Sequence, residues 1–370
     1  MPSSSSGARH VGVQARLLFR AYSGDWQEPA TDLGALSPEF DYIVGLDSAG
    51  RQEFLRYADM HHVTVRVLRV IRNAALSAGE ANLREWCDLA LKQEHLRIDR
   101  ALSYLAPICA ALDLAGCTTT VIKSLDHWPD LGSDLDLYTS GDADRVSQVM
   151  TSEFKAKMEA RSWGDRLANK WNFAVPGLPE LIEIHVQYLG QTGEQTAMAK
   201  RVVERNVART LNGRTFRVPA PEERVLISTL QRMYRHFYFR LCDMADFTAL
   251  LQSSAIDFAE LRRAAASGGI WPGVATFLFL VWKYAEENGG TAPLPEDVSR
   301  AAYSSEIRVH FEDNFLRVPK LPAASLYGSQ LLCASMHRDL RAMLRLPLLP
   351  PLAVSALVAY RLTGSDKGVW

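Results

Sequence analysis

The stretch of this 370-residue chain with most chemical content is Asp134-Leu-Asp136-Leu-Tyr-Thr139, where acidic or polar residues alternate with apolar ones. A period of two is the pattern of a half-buried strand, so Asp134 and Asp136 face one side and Leu135 and Leu137 the other. Two carboxylates on one face repel each other unless positive charge sits between them. A divalent cation is the usual solution, and Mg²⁺ is typically held by one or two carboxylates together with substrate phosphates. Two solvated acids at a surface strand end would give the same pattern, and Asp-x-Asp alone does not separate the two readings. A second stretch adds weight. Pro179-Glu-Leu-Ile-Glu-Ile-His-Val-Gln-Tyr188 also alternates, with Leu181, Glu183, His185 and Gln187 on its more polar face. Paired beside the Asp134–Asp136 strand, it would bring Glu183 to the same cation site as a third carboxylate.

These residues need a scaffold. Thr118 to Ile122 is β-branched throughout and reads as a strand, and the Pro and Gly residues after it read as a loop. With 171–175, 180–188 and 213–218, the last preceded by the turn pair Asn212-Gly213, the stretches 117–122 and 134–139 predict a small mixed sheet. Helical spacing runs from Phe54 to Leu76 before the stop Ala78-Gly79. It returns from Leu83 to Leu114, where Pro107 should kink or break it and Leu96, Ala101, Leu102, Leu105, Ile108, Cys109 and Leu112 should form a buried stripe. Further helices are expected over 144–158, over 196–211 with its basic Lys200, Arg201, Arg205 and Arg209, and over 258–287. Pro221-Glu-Glu should start one long helix running through Asp246, on which Arg240 and Asp243 would pair structurally. Adjacent His61 and His62 would diverge by about 100° on a helix and so could not share a metal.

The order of Lys123-Ser124, a loop, Asp134-x-Asp136 and Ile-Glu183-Ile-His185 resembles the nucleotidyltransferase superfamily of polymerase-β-like fold, most closely its uncharacterised bacterial branch. The likeness covers roughly residues 55–285. It implies an α+β protein with a nucleotidyltransferase core at 117–218 between an N-terminal helical region (39–116) and a C-terminal one (219–320). It further implies Asp134, Asp136 and Glu183 as catalytic carboxylates and metal ligands, with Glu183 either ligating a second ion or acting as general base. Mg²⁺, with Mn²⁺ as the substitute, would be the cofactor and an NTP the co-substrate, its NMP group moving to an acceptor with release of pyrophosphate. Lys123 would neutralise triphosphate charge, Ser124 would offer its hydroxyl and backbone donors, Gly132 and Ser133 would lie at the nucleotide, and His185 would orient a ligand or the acceptor. Asp126 and His127 are weaker loop candidates. The family has Gly where this chain has Ser124, so a non-catalytic nucleotide-binding or scaffold module is the alternative. A metal-dependent glycosyltransferase, which also uses Asp-x-Asp, is a further one, although the stretch before the motif reads as helical rather than βαβ.

Composition sets outer bounds. A formal net charge of −1 gives no field to gather nucleic acid or anionic membrane. The five cysteines show no metal spacing and suit reduced thiols, hence a cytoplasmic protein. Residues 1–38 open with a Ser run and read as a mobile tail, with a short helix near Val13–Phe19. Residues 321–370 form an apolar extension. Its segment 344–360 is too Pro-interrupted to span a membrane, but suits docking on the body, on a partner or on a membrane surface.

Overall fold

The computed structural model describes residues 4–22, 26, 29 and 37–363. Five helices precede the first strand: α1 (Ser4–Ala21), α2 (Ser37–Val44), α3 (Ser48–Met60), α4 (Thr64–Ala78) and α5 (Ala81–Leu114). Residues 4–21 overturn the expectation of a mobile tail, whose remainder lies largely outside the described residues. Val11, Ala15, Leu18 and Tyr22 recur at helical spacing and are all buried, and the Gln14 side chain donates to Phe54 O (2.8 Å). The Ser run masked an amphipathic helix. The helix expected from Phe54 to Leu76 is two, because His62 turns left-handed (φ 52°) and His61 is drawn away from the helix axis. Its Nδ1 accepts Leu241 N–H (3.0 Å) and its Nε2 lies 3.0 Å from Asn314 O. Pro107 does not break α5, which runs as one helix of 34 residues. A single missing amide bond is a local cost, offset by the buried stripe Ile98, Ala101, Leu102, Leu105, Ile108 and Leu112. Leu96, expected in that stripe, is 58% exposed.

The central sheet has five strands in the order β1-β2-β5-β4-β3, namely β1 (Thr119–Val121), β2 (Asp134–Thr139), β3 (Lys157–Met158), β4 (Lys170–Ala174) and β5 (Leu181–Val186). β2 pairs antiparallel with β1 and parallel with β5, which makes the sheet mixed, as expected. Two helices fill its crossovers. α6 (Ala143–Ser152) is capped by Asp142 and stops short of the expected Met158, whose residues form edge strand β3. α7 (Trp163–Ala168) begins with a Ser162/Asp165 capping box.

The strand expected over 213–218 exists but lies outside this sheet. The helix expected to Leu211 ends as α8 (Thr196–Glu204), and Asn206–Leu211 is strand β6, forming a two-stranded ribbon with β7 (Arg214–Pro219). Asn212 and Gly213 both take positive φ (46° and 75°), as the tight hairpin turn requires. The basic residues there are spoken for: Arg201 and Arg205 pair with Glu222, Glu223 and Glu260, and Arg209 donates to Leu125 O.

The long helix expected to reach Asp246 starts as predicted, with Pro221 at its first turn, but α9 (Pro221–Gln231) passes into a π-helical turn over Arg232–His236. Strand β8 (Tyr238–Phe239) and α10 (Leu241–Gln252) follow. β8 joins β9 (His310–Glu312) and β10 (Phe315–Arg317) in a small antiparallel sheet. The remaining helices are α11 (Phe258–Ser267), α12 (Trp271–Glu287), α13 (Glu296–Ala301), α14 (Lys320–Met336), α15 (Leu340–Arg345) and α16 (Leu349–Thr363). The apolar C-terminal segment docks through Arg345, which donates to Leu167 O and Thr192 O, while Val354 and Leu362 stay exposed. Among the described residues no helix is long and apolar enough to cross a membrane.

One apolar core runs from α1 through the sheet to α12 and β10, and a buried ion cluster sits within it. Arg66 on α4 pairs with Asp130 (2.8 Å) in the β1–β2 loop and with Asp246 (2.7 Å) on α10. Removing the guanidinium would leave two buried carboxylates without their counter-charge. Arg66→Ala should therefore lower unfolding free energy by about 3–5 kcal/mol, read from urea denaturation midpoints. A loss below about 1 kcal/mol, the worth of an exposed pair, would show that the cluster does not hold these three segments together.

Candidate active site

The acids meet through register. In the parallel β2–β5 pairing Asp136 lies opposite Glu183 and Tyr138 opposite His185. The apolar alternates Leu135, Leu137, Ile182 and Ile184 are all completely buried beneath. The carboxylates of Asp136 and Glu183 and the His185 imidazole offer ligand atoms within 4.8 Å of one another. Asp134 lines the same cleft one step along the strand, outside that tight trio.

Charge within the trio is heavily managed. Lys123 Nζ contacts Asp136 and lies 3.7 Å from Glu183 Oε1. Lys170 Nζ sits 2.9 Å from Glu183 Oε2 and 3.0 Å from Asp165 Oδ1, and His185 Nε2 is 2.9 Å from Glu183 Oε1. Burial alone would raise the Glu183 carboxyl, but Lys170, His185 and Lys123 outweigh it and hold it well below the usual range. Asp134 goes the other way, raised by burial and by repulsion from Asp136 and Glu183. Lys123 and Arg240 offset only part of that repulsion, and a divalent cation would relieve the rest in a set of hard oxygen donors, so the residues fit one.

Lys123 reaches the acids because of its backbone. Its φ of 61° and ψ of −58°, with Ser124 N–H donating to Ile122 O (2.6 Å), make a γ-turn that is costly for a residue with a side chain. Glycine-like geometry is thus present, one residue ahead of the position where the family places Gly. The Ser124 hydroxyl is engaged within the chain. Its Oγ–H donates to Asp134 O (3.1 Å) and its oxygen accepts Asp136 N–H (2.7 Å), clamping the loop to β2. Gly132 and Ser133 line the cleft. Of the loop candidates, Asp126 pairs with Arg224 (2.7 Å), and His127 borders the cleft while its Nδ1 lies 2.5 Å from Asp246.

The opposite wall of this cleft of about 190 Å³ comes from residues that sequence reasoning did not assign to the site. The π-helical turn supplies Arg232, Arg235 and His236, and the following strand and helix start supply Tyr238 and Arg240. Arg232 pairs with Asp243 (2.8 Å), which also accepts Arg240 N–H (2.7 Å), so the expected Arg240–Asp243 side-chain pair is replaced by this arrangement. With Lys123 and Lys170, five cationic side chains line the cleft against the three carboxylates Asp134, Asp136 and Glu183. The sequence signal was the basic run Arg232-Met-Tyr-Arg235-His236, read there as part of a continuous helix. A second buried group, His127, Cys242 and Asp246, has its carboxylate taken by Arg66 and His127 and is part of the core's hydrogen bonding.

Two measurements check this geometry. Ser124→Ala strands the buried Asp136 N–H and should cost about 1–3 kcal/mol of stability, and Ser124→Gly should cost at least as much. Wild-type stability in either variant would mean the hydroxyl clamp is not formed. The second is pH. Burial lowers the His61 imidazole to about 3 and His62 well below its usual range. The unfolded chain therefore binds protons that the fold refuses at these two rings and at His236, which burial also holds well below its usual range. Stability should fall as pH drops below about 6.5, by up to about 1.4 kcal/mol per unit for each histidine. His127, where burial is outweighed by Cys242 and Asp246, is raised and so is protonated in both states at pH 5, adding no slope there. Asp130, raised by burial to about 6, binds a proton in the fold and opposes one of these losses below about pH 6, so the net effect is still a fall. A urea midpoint unchanged between pH 7 and pH 5 would contradict the burial of these rings.

Comparison with known proteins supplies the family. No curated protein matches the sequence. Among solved structures, an antigenic nucleotidyltransferase-like protein from Paracoccidioides brasiliensis is 15% identical, covering 45% of this chain and 86% of its own, with a TM-score of 0.32. The profile of the uncharacterised nucleotidyltransferases matches residues 47–288, from the start of α3 through α12 and across every residue of the cleft, and the chain belongs to that family.

Proposed function

We propose that the protein is a metal-dependent nucleotidyltransferase that moves an NMP group from an NTP to a hydroxyl acceptor. The observation that supports this best is the β2–β5 register, which sets Asp136 beside Glu183 at the floor of a cleft walled by Arg235 and Arg240. Catalysis of this kind of transfer is mainly positioning and charge neutralisation. Asp134 and Asp136 would hold Mg²⁺, or Mn²⁺ in its place, with Glu183 as the third carboxylate. The ion, when bound, neutralises phosphate charge and acidifies the acceptor hydroxyl. Arg235 and Arg240 face the cleft and draw the triphosphate in. Lys123, now against Asp136, is free to turn to the phosphates once its carboxylate partners have another cation. In the transfer the acceptor oxygen bonds to the α-phosphorus, the bond from that phosphorus to the bridging oxygen breaks, and pyrophosphate leaves. Glu183 would take up the hydroxyl proton as general base, a transfer that, to so weakly basic a carboxylate, depends on prior acidification of the hydroxyl.

A second reading has its own support. Both oxygens of Glu183 are paired, and Ser124 spends its donors on the chain itself, which suits a module that binds nucleotide without turning it over. Among the described residues only helices, α1–α5, precede β1, with no βαβ nucleotide unit, which speaks against a glycosyltransferase. Asp136→Asn keeps shape and removes charge. For the enzyme it should lower pyrophosphate release by about 10²–10³-fold at unchanged fold. No release from wild type with any of the four NTPs, Mg²⁺ or Mn²⁺, and a hydroxyl acceptor panel would favour the binding module.

A further inference from the structure

Behind the carboxylates lies a second, smaller cavity with a different character. Ile122, Leu189, Ile227 and Leu230 give it apolar walls, and it meets the polar cleft at Lys123, Gln231 and Arg235, which line both. Asp136 and Glu183 line the cleft only, whereas His185 lines the smaller cavity, so the imidazole is the wall between them. His185 is 6% exposed, and its two nitrogens differ. Nε2 lies 2.9 Å from Glu183 Oε1, a carboxylate oxygen that accepts its N–H. Nδ1 is left with a lone pair, buried and without a partner. A buried acceptor without a donor calls for a ligand or water to supply one.

We infer that this cavity is the acceptor subsite, that it takes a hydroxyl on a short aliphatic stem, and that His185 is the positioning residue that accepts the hydroxyl hydrogen bond. The inference rests on the nucleotidyltransferase reading above. Size and lining set the ligand class. The cavity holds about 40 Å³. That small space, open to the cleft at Lys123, Gln231 and Arg235, admits the end of a ligand rather than the whole of it. A sugar ring or the ribose end of a nucleic acid would set some of its hydroxyls against Ile122, Leu189, Ile227 and Leu230, where they could not be paired. A short alkanol, or the end of a Ser or Thr side chain, buries its carbons against Leu189, Ile227 and Leu230 and presents its oxygen to Nδ1. Where the cavity meets the cleft at Lys123, Gln231 and Arg235, the oxygen bonds to the α-phosphorus, the bond from that phosphorus to the bridging oxygen breaks, pyrophosphate departs, and the released proton is taken up by Glu183 as in the reading above. The place given to Leu189 and Leu230 is independent of which nucleotide base is used.

The test uses the full chain loaded with ATP and Mg²⁺, and 1-propanol as probe. Saturation-transfer NMR on the propanol methyl reads binding without turnover, and formation of the propyl ester of AMP reads transfer. Saturable propanol binding is expected in wild type, weakened about tenfold or more in Leu230→Trp, which fills the cavity. His185→Asn keeps an amide atom near the Nδ1 position and should retain propanol within a few-fold. His185→Gln, which keeps only an Nε2 equivalent, should lose about tenfold, a difference that a merely packed histidine would not produce. If Leu230→Trp does not fold, the His185 pair decides. Non-saturable propanol binding in wild type, equal binding in the Asn and Gln variants, or glucose binding as well as propanol would each overturn the proposal. A blocked threonine tripeptide that displaces propanol supports the class and puts the hydroxyl on a peptide. Propanol bound in this pattern with no ester formed supports the subsite while refuting the enzyme reading.

Discussion

Arg66 is the charge on which the chain closes. A guanidinium cannot shed its proton, so once it is buried the carboxylates must come to it. Asp130 comes from the loop after β1 and Asp246 from α10, and Arg66 Nη2 donates to His127 O in the same loop (3.3 Å). Asp130 also accepts Val65 N–H (2.5 Å), and the second oxygen of Asp246 meets His127 Nδ1. Burial pushes Asp130 up to about 6 in spite of Arg66, while Asp246, with Arg66 and His127 both against it, is held low despite the same burial. The consequence is geometric. The loop carrying Lys123, Ser124, Gly132 and Ser133 is tied at once to the helices before the sheet and to those after it, so the two walls of the cleft have one mutual position.

The floor of the cleft answers a different constraint, that like charges on one face must be neutralised. Lys123 and Lys170 do this from opposite sides of the strand pair, Lys123 by way of a strained turn and Lys170 from β4 with Asp165 behind it. Backbone strain of this kind persists where surrounding contacts over-determine it, and here the Ser124 clamp onto β2 is the contact. Asp134, the carboxylate without a lysine against it, keeps the raised affinity for a proton that marks an electrostatic gap. Local charge balance therefore supports both readings of the site: a cation completes it, and the lysines go far towards completing it without one.

The facing wall depends on an irregularity. A π-helical turn widens the end of α9 and lets Arg232, Arg235 and His236 point the same way, before Phe237 reverses the chain with φ 56°. Such turns are commonly found at functional sites, since they free a backbone segment from regular spacing. Asp243 fixes the arrangement by holding Arg232 and capping α10 through Arg240 N–H.

Local pattern was enough to identify the two acidic strands, their polar and apolar faces, the Asn212-Gly213 turn and the start of α9 at Pro221. Side-chain period and turn chemistry are properties of neighbouring residues, so these features are written in any short window. Together with the resemblance they also brought Lys123, Asp134, Asp136, Glu183 and His185 to one place. What tertiary structure decided was everything that depends on partners distant in the chain. The helix over 54–76 divides because His61 bonds to residues 241 and 314, and Ser124 is a clamp because β2 lies against it. Arg209 leaves an expected helix for a strand to reach Leu125 O, and Lys170 becomes a site residue because β4 pairs beside β5. Whether a charged side chain faces solvent, a ligand or an opposite charge is set by burial and pairing across the fold. A sequence window contains neither, and so the acids of this cleft were legible while most of its bases were not.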